Sequence, residues 1–116
     1  MILIVLYMLI AVVGQSPQQV KHPDCAGVER WSTSLAYAHL KNDGLAGPQT
    51  IDFKKTKTVR IASEQIGKDL FRQVHRVTFT KTTGEIIEVI TVNDASSQEC
   101  SMSGVEAYVV SKHLGP

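Results

Sequence analysis

The chain has 116 residues, of which 43% are hydrophobic, 20% are charged and 6% are aromatic. This length fits one globular domain and is too short for two, and the composition excludes a disordered or fibrous protein. A formal net charge of +1 excludes a protein whose whole surface attracts nucleic acid or an anionic membrane.

The chain begins with an apolar run, residues 1–13, that holds no charged side chain. A transmembrane helix needs about 20 apolar residues, whereas this run has the length of the apolar region of a signal peptide. Val12 and Gly14 supply the small residues that cleavage after Gly14 requires. The alternative for the run is a short buried strand or helix. The predicted organisation is a signal peptide, a flexible lead-in and a single domain, over residues 1–14, 15–23 and 24–116.

Cys25 and Cys100 are the only cysteines. In an oxidising compartment an even pair usually forms a disulfide. Here the bridge would close a ring of about 76 residues, and such bridges stabilise a fold by about 2–4 kcal/mol. The alternative is a reactive or metal-bound pair. No Cys-x-x-Cys motif supports it, and the isolated pair of His22 and Cys25 has no matching second half. The sequence therefore predicts a structural disulfide, with no metal site and no cofactor.

A helix is predicted from Asp24, as its N-cap, to Lys41, with residues 42–44 (Asn-Asp-Gly) as its stop signal. At 100° per residue the larger apolar side chains fall within one stripe, which is predicted to face the core. The residues of this stripe are Val28, Trp31, Leu35 and Ala38.

From Thr58 onward β-branched residues recur at period two, which indicates strands. The predicted strands are at about 57–63, 70–81, 85–92 and 105–112. Gly67 is expected in the first turn, and residues 82–84 (Thr-Thr-Gly) form a three-residue hairpin loop whose last position favours glycine. This loop sets the register of the central hairpin so that apolar side chains oppose each other. The expected opposed pairs are Phe79 with Ile87, Val77 with Val89, and His75 with Thr91.

The predicted fold class is α+β, with the N-terminal helix packed on one face of a four-stranded antiparallel meander sheet and one disulfide. Residues 45–49 are a loop, and residues 93–104 form a long polar connection held by Cys100. At the level of architecture this arrangement resembles the cystatin-like and related small exported inhibitor folds. The resemblance is one of layout, and no residue role is carried over from it.

Charge is segregated along the chain, because residues 54–81 carry eight basic and two acidic side chains while residues 82–116 carry one basic and five acidic. The register places Arg72 and Arg76 on the sheet face away from the helix. Arg60 joins them if its two neighbours, Val59 and Ile61, face the core.

Two interpretations of these arginines are open. In the first, Glu88 and Glu106 neutralise them across the sheet as ordinary solvated pairs. In the second, an open sheet face with arginines beside a tyrosine binds another protein. The candidate contact residues on this face are Arg60, Arg72, Arg76 and Tyr108. The long connection is a second candidate, since tethered loops on rigid scaffolds often carry recognition. Its candidate residues are Asp94, Ser101, Met102 and Ser103.

No nucleotide-binding, hydrolase, zinc-protease or calcium-loop motif is present. His39 and His75 are both predicted to point inward, where they could meet beside the hydroxyls of residues 101–103. Such a cluster would be the site of a small periplasmic hydrolase or ligand-binding domain. More often such residues are core histidines satisfied by backbone or hydroxyl partners.

These observations favour a small, exported, non-catalytic domain of the bacterial envelope that binds another protein. Its concrete form is an inhibitor or immunity protein against a secreted or wall-degrading enzyme, in the periplasm or outside the cell. Nucleic acid is a poor partner because basic and aromatic side chains do not alternate along the strands. No stable membrane insertion is expected after signal cleavage. The alternatives are the hydrolase or ligand-binding domain and a purely structural envelope component.

Overall fold

The computed structural model describes residues 20–115, so the predicted signal peptide and the first residues of the predicted lead-in lie outside it. Its elements, in chain order, are α1 (Trp31–Asn42), the short 3-10 turn η1 (Phe53–Lys55), β1 (Lys57–Gly67), β2 (Leu70–Thr80), β3 (Ile86–Ala95) and β4 (Glu106–Val110). The strands form one antiparallel sheet in the order β1-β2-β3-β4. The helix packs on one face of this sheet, which confirms the predicted α+β class. We call the helix-covered face the inner face and the opposite one the outer face.

The register of the central hairpin is the one that the sequence predicts. Phe79 lies opposite Ile87, and the two further predicted pairs are also present. The loop closes through the backbone N–H of Lys81, which donates to the carbonyl of Glu85 at 2.7 Å. Gly84 has φ 95°, the left-handed conformation that glycine adopts without a steric penalty.

The edge strand β1 is longer than predicted and contains a bulge. It extends to Gly67, and the turn that follows consists of Lys68 and Asp69, the latter with φ 51°. The register shifts between Arg60 and Ala62, so one extra residue is inserted into β1. At the far edge β4 is shorter than predicted, whereas β3 runs on to residue 95.

The predicted start of the helix is wrong. Helix α1 begins at Trp31 with Arg30 as its N-cap residue, six residues after the predicted N-cap. The carboxylate of Asp24 accepts from the backbone N–H of Ala26 at 3.2 Å, so its capping ability is used in a local turn instead. The predicted stop is confirmed, because the helix ends at Asn42 and Gly44 has φ 75°.

The predicted core stripe of the helix is also wrong. Val28 lies outside the helix and is 49% exposed, while Trp31 is only partly buried at the margin. The inward positions carry smaller side chains instead, which allow the helix to approach the sheet closely. The buried residues of α1 are Ser32, Thr33, Ala36 and Leu40.

The inner face divides into an apolar half and a polar half. The apolar half joins Ala36 and Leu40 of the helix to strand residues including Val77, Phe79 and Val89. The polar half lies towards the disulfide, where the lead-in contacts the sheet. Its fully or almost fully buried side chains are Gln73, His75, Thr91 and Asn93.

The predicted disulfide between Cys25 and Cys100 is present, with the two Cα atoms 5.7 Å apart. It holds the segment before α1 against the connection that follows β3. Nearby, the imidazole of His22 packs on the ring of Phe71 at a centroid distance of 4.7 Å, and its Nδ1 lies 2.6 Å from the hydroxyl of Ser63. The end of the predicted lead-in is therefore in contact with the sheet.

Candidate functional site

Four of the predicted contact residues lie together on the outer face. Arg72 is opposite Asp94 across the β2–β3 ladder, and Arg76 is opposite Ile90. Ile90 is in turn opposite Tyr108 of β4. Because directly opposed residues of a sheet point to the same side, these side chains share one surface on the side away from α1.

Apolar side chains lie on the outer face of all four strands, with Arg76 between Val59 and Ile90. Val59 of β1 lies beside Arg76, and Val74 and Val92 are opposed at the centre. Val59 is 48% and Tyr108 55% exposed, and the central valines are partly exposed. The single described helix packs on the other side of the sheet. A group of exposed apolar side chains on one face is a candidate interaction site.

Both arginines of the outer face have acidic partners. The Nε of Arg72 donates to Asp94 Oδ1 at 3.0 Å, and the Nε of Arg76 lies 3.8 Å from Glu88 Oε1. The hydrogen bond to Asp94, together with its charge, raises the pKa of Arg72 above its usual value. The interpretation in which carboxylates neutralise the arginines is thus supported by these contacts, although Asp94 takes the place predicted for Glu106.

Glu106 is engaged elsewhere, because its carboxylate accepts a hydrogen bond of 2.5 Å from the hydroxyl of Tyr108. This bond, and secondarily the negative charge of Glu106, raises the pKa of Tyr108 above 10.0. The phenol is therefore held neutral, with its ring lying beside Ile90. It presents an apolar surface whose one polar atom already has a partner.

An open groove joins the outer face to the long connection between β3 and β4. Its volume is about 630 Å³, and Arg72, Asp94 and Ser103 are among the residues that line it. The backbone N–H of Asp94 donates to the hydroxyl of Ser103 at 2.8 Å, and the N–H of Met102 donates to the carbonyl of Asp94 at 3.0 Å. The two predicted contact regions therefore meet at this groove.

Arg60 does not belong to this surface, which corrects the prediction. Val59, its neighbour, lies opposite Arg76 and therefore points outward, so Arg60 points to the inner face opposite His75. Its guanidinium donates to the carbonyl of Pro23 at 2.9 Å, where it helps to hold the lead-in on the sheet. Ile61, at the bulge, is 48% exposed and does not face the core.

The residues of the hydrolase hypothesis are not assembled. His39 is exposed, against the prediction, and its Nε2 donates to the carbonyl of Val105 at 3.0 Å. The hydroxyl of Ser101 donates to Glu99, and that of Ser103 donates to the carbonyl of Gly104. None of these groups makes a hydrogen bond to a histidine within the described part of the chain.

His75 is fully buried, as predicted for an inward-facing residue. Neither of its ring nitrogens has a hydrogen-bond partner among residues 20–115. Burial, and to a lesser degree the charge of Arg60, lowers the pKa of His75 below 6.5, while Asp24 acts weakly in the opposite sense. The imidazole is consequently neutral at physiological pH and enclosed, with no route to a substrate shown.

Residues 20–115 contain no cluster of three or more histidine, cysteine, aspartate or glutamate side chains that could hold a metal ion. Within the same range, no helix has the length and apolar character needed to cross a membrane. The disulfide is compatible with export into an oxidising compartment.

Comparison with known proteins adds no further constraint: no family model, no curated protein and no solved structure matches this chain. The function of the chain is therefore inferred from the chemistry of the surfaces described above. The apolar centre of the outer face is the feature that sequence reasoning missed. Its signal was present in β3, where Val89, Ile90 and Val92 put apolar side chains on both faces rather than on alternate positions only.

Proposed function

We propose that the mature protein is a small, exported, non-catalytic domain that binds another protein through the outer face of its sheet. The concrete form of the proposal is an inhibitor or immunity protein of the bacterial envelope, acting on a secreted or wall-degrading enzyme. The single observation that carries it is the group of exposed and half-buried apolar side chains around Arg76 on the side away from the helix, which are Val59, Val74, Ile90, Val92 and Tyr108. The centre of a protein interface usually holds few unpaired charges, and ionic groups usually surround it.

The chemistry of the face defines the partner. The guanidinium groups of Arg72 and Arg76 already have carboxylate partners, so a partner gains little by bringing further carboxylates to them. Binding energy would come from apolar burial around Ile90 and the ring of Tyr108, the residue types that dominate interface energetics. The charged pairs at the margin would set orientation and association rate rather than affinity. The expected partner is therefore a folded protein with a complementary apolar patch.

The groove beside the outer face could receive one loop that projects from the surface of this partner. It is open, about 630 Å³ in volume, and lined on one side by Arg72 and Asp94 and on the other by Ser103 and Gly104. Several hydrogen bonds and the disulfide fix the connection that forms its wall. A rigid, partly polar wall beside an apolar surface favours a loop of the partner at this position.

The test uses two variants that alter adjacent residues of β4 on opposite faces. Tyr108→Asp places a charge on the outer face, while Val109→Asp places the same charge on the inner side, where the wild-type residue is 48% exposed. Mature, oxidised wild-type protein and both variants are immobilised and exposed to envelope extracts of the host and of neighbouring species. We expect a bound protein that is retained by wild type and Val109→Asp, and lost with Tyr108→Asp.

The recovered protein is then assayed with and without this chain. Inhibition of a wall-degrading or other secreted activity supports the inhibitor or immunity form of the proposal. Equal retention by Tyr108→Asp, with an unchanged circular dichroism spectrum, contradicts the outer face as the contact surface. Recovery of only a second copy of the chain, seen as a concentration-dependent dimer in sedimentation, contradicts the heterologous partner. Recovery of nothing favours a purely structural envelope component.

A further inference from the structure

A small apolar pocket lies between the N-terminal part of α1 and the η1 turn, on the inner side of the molecule. Its volume is about 220 Å³, and the rings of Tyr37 and Phe53 line it. These rings meet edge to face, with centroids 5.0 Å apart and planes at 77°. Val28 and Phe53 also belong to the lining although they are 49% and 47% exposed, so the mouth of the pocket is apolar.

The size of this pocket determines what it can hold. Sites for drug-sized ligands and cofactors have volumes of about 300–1,000 Å³, and this pocket is smaller. Its volume suits one large apolar side chain, and pockets that receive a single anchoring side chain dominate the energetics of many peptide and protein interfaces. Aromatic walls favour an aromatic guest, since paired rings gain about 0.5–1.5 kcal/mol beyond area burial.

The N-terminal end of a helix and two exposed lysines adjoin residues that line the pocket. Ser34 of the lining belongs to the first turn of α1, which has no acidic residue in that turn and no side-chain cap at Arg30. The positive end of the helix dipole is therefore uncompensated by the helix itself. Lys54 and Lys55 stand in the chain between the lining residues Phe53 and Thr56.

Both lysines are exposed, and neither is within salt-bridge distance of an acidic group in the described part of the chain. The carboxylates that adjoin lining residues in sequence are Glu29, next to Val28, and Asp52, next to Phe53. The carboxylate of Asp52 is occupied in part, because it accepts from the backbone N–H of Lys54 at 3.3 Å. The two lysines at η1, unpaired within the described residues, therefore favour the binding of a negatively charged ligand.

We infer that this pocket is a second recognition site, which binds an acidic peptide segment carrying one aromatic side chain. The aromatic side chain enters the pocket beside the touching rings of Tyr37 and Phe53, and flanking carboxylates lie against Lys54, Lys55 and the N-terminal end of α1. The inference does not depend on the proposed function of the outer face, because the two surfaces lie on opposite sides of the sheet and share no residue.

The probe is a fluorescein-labelled peptide of sequence Asp-Glu-Phe-Glu-Asp, titrated with the mature, oxidised protein and followed by fluorescence anisotropy. We expect saturable binding that weakens as salt is raised, because the charged contacts are solvent-exposed. A matched peptide with alanine in place of phenylalanine should bind at least about tenfold more weakly, a factor that corresponds to 1.4 kcal/mol.

Two protein variants locate the site. The double variant Lys54→Glu/Lys55→Glu should weaken binding by about tenfold or more. Ser34→Trp fills the pocket from the helix side and should abolish binding, while circular dichroism checks that the fold is retained. The matched control is Lys68→Glu/Lys112→Glu, which changes net charge equally at two exposed positions outside the pocket and should bind as wild type does.

Results of three kinds would overturn the inference. The first is no saturable binding of the aromatic peptide up to about 1 mM, the weak limit of specific recognition. The second is equal binding by the alanine peptide or equal weakening by the control variant. The third is adsorption to phosphatidylglycerol vesicles without binding to the peptide, which would indicate a lipid surface instead. Tyr108→Asp is included in every titration. We expect this variant to bind the peptide as wild type does, which would show that the pocket acts independently of the outer face.

Discussion

His75 shows how a single buried residue links protonation to folding. Its imidazole is fully buried opposite Thr91 on the inner face, and its pKa is lowered chiefly by burial. The folded protein therefore holds the neutral form, while the unfolded chain binds a proton at the ordinary pKa of about 6.5. Stability from this residue is fully present above that pKa and is lost progressively as the pH falls below it.

We expect the free energy of unfolding of the wild type to decrease between pH 7.5 and pH 5.5, by at most about 1.4 kcal/mol from this one group, in a range above the titration of ordinary carboxylates. His75→Gln, which does not titrate, should show a flatter dependence over the same range even if it is less stable overall. Urea unfolding at several pH values measures both slopes. His113→Gln, at an exposed position, serves as control and should keep the wild-type slope. An equal slope for wild type and His75→Gln would contradict this account.

At the scale of the element, the hairpin between β2 and β3 depends on the backbone conformation of one turn residue. Gly84 has φ 95°, and an L-residue with a side chain in that region costs roughly 1–2 kcal/mol. Gly84→Ala should therefore lower the free energy of unfolding by about that amount, measured by urea or thermal unfolding. A Cβ at Gly84 meets no atom within 4 Å, so a loss reports backbone strain and not a clash.

The matched control for this prediction is Gly47→Ala, in a loop where an added Cβ also meets nothing within 4 Å and φ is not left-handed. This change should be neutral or slightly stabilising, because alanine reduces the conformational freedom of the unfolded chain. Equal effects of the two substitutions would show that the left-handed turn does not determine the stability of the hairpin.

The same hairpin shows which elements the sequence determines locally. The length of the loop and the glycine at its end leave one register that opposes Phe79 with Ile87, and the structure has that register. The start of helix α1 is not determined locally in this way. The sequence predicts Asp24 as the N-cap, but the side chain of Asp24 accepts a hydrogen bond from Ala26 in a separate turn. A short polar residue before a helix offers its oxygen to any nearby backbone N–H, and tertiary context decides which one.

The outer face shows that the side to which a residue of an edge strand points cannot be predicted from the sequence pattern unless the pairing of that strand is known. The sequence correctly places Arg72 and Arg76 on one side of β2, because alternation within a strand is a local property. It misplaces Arg60, because the face that β1 presents depends on its pairing with β2, which sets Val59 opposite Arg76. The pocket beside Tyr37 has no local signature at all, since it forms only where α1 and η1 meet.

At the scale of the whole molecule, the disulfide joins the segment before α1 to the connection between β3 and β4. Replacing both Cys25 and Cys100 by serine should lower the free energy of unfolding by about 2–4 kcal/mol, a large share of the net stability of a domain of this size. Urea unfolding of the double variant measures the loss. Wild-type protein reduced with dithiothreitol should unfold at the same urea concentration as the variant, and an unchanged midpoint in both cases would contradict a stabilising role.

The position of this bridge also determines how the molecule responds to mechanical tension. A pull applied at residues 20 and 115 reaches Cys25 and Cys100 before it reaches α1, β1, β2 or β3, which all lie between the two half-cystines in the chain. Strand β4 and residues 20–24 lie outside the ring, so a pulling experiment should first detach β4 from β3 and the end of the lead-in from the sheet, in a short extension. Force then passes directly through the sulfur–sulfur bond, and the helix and the other three strands stay folded and unloaded.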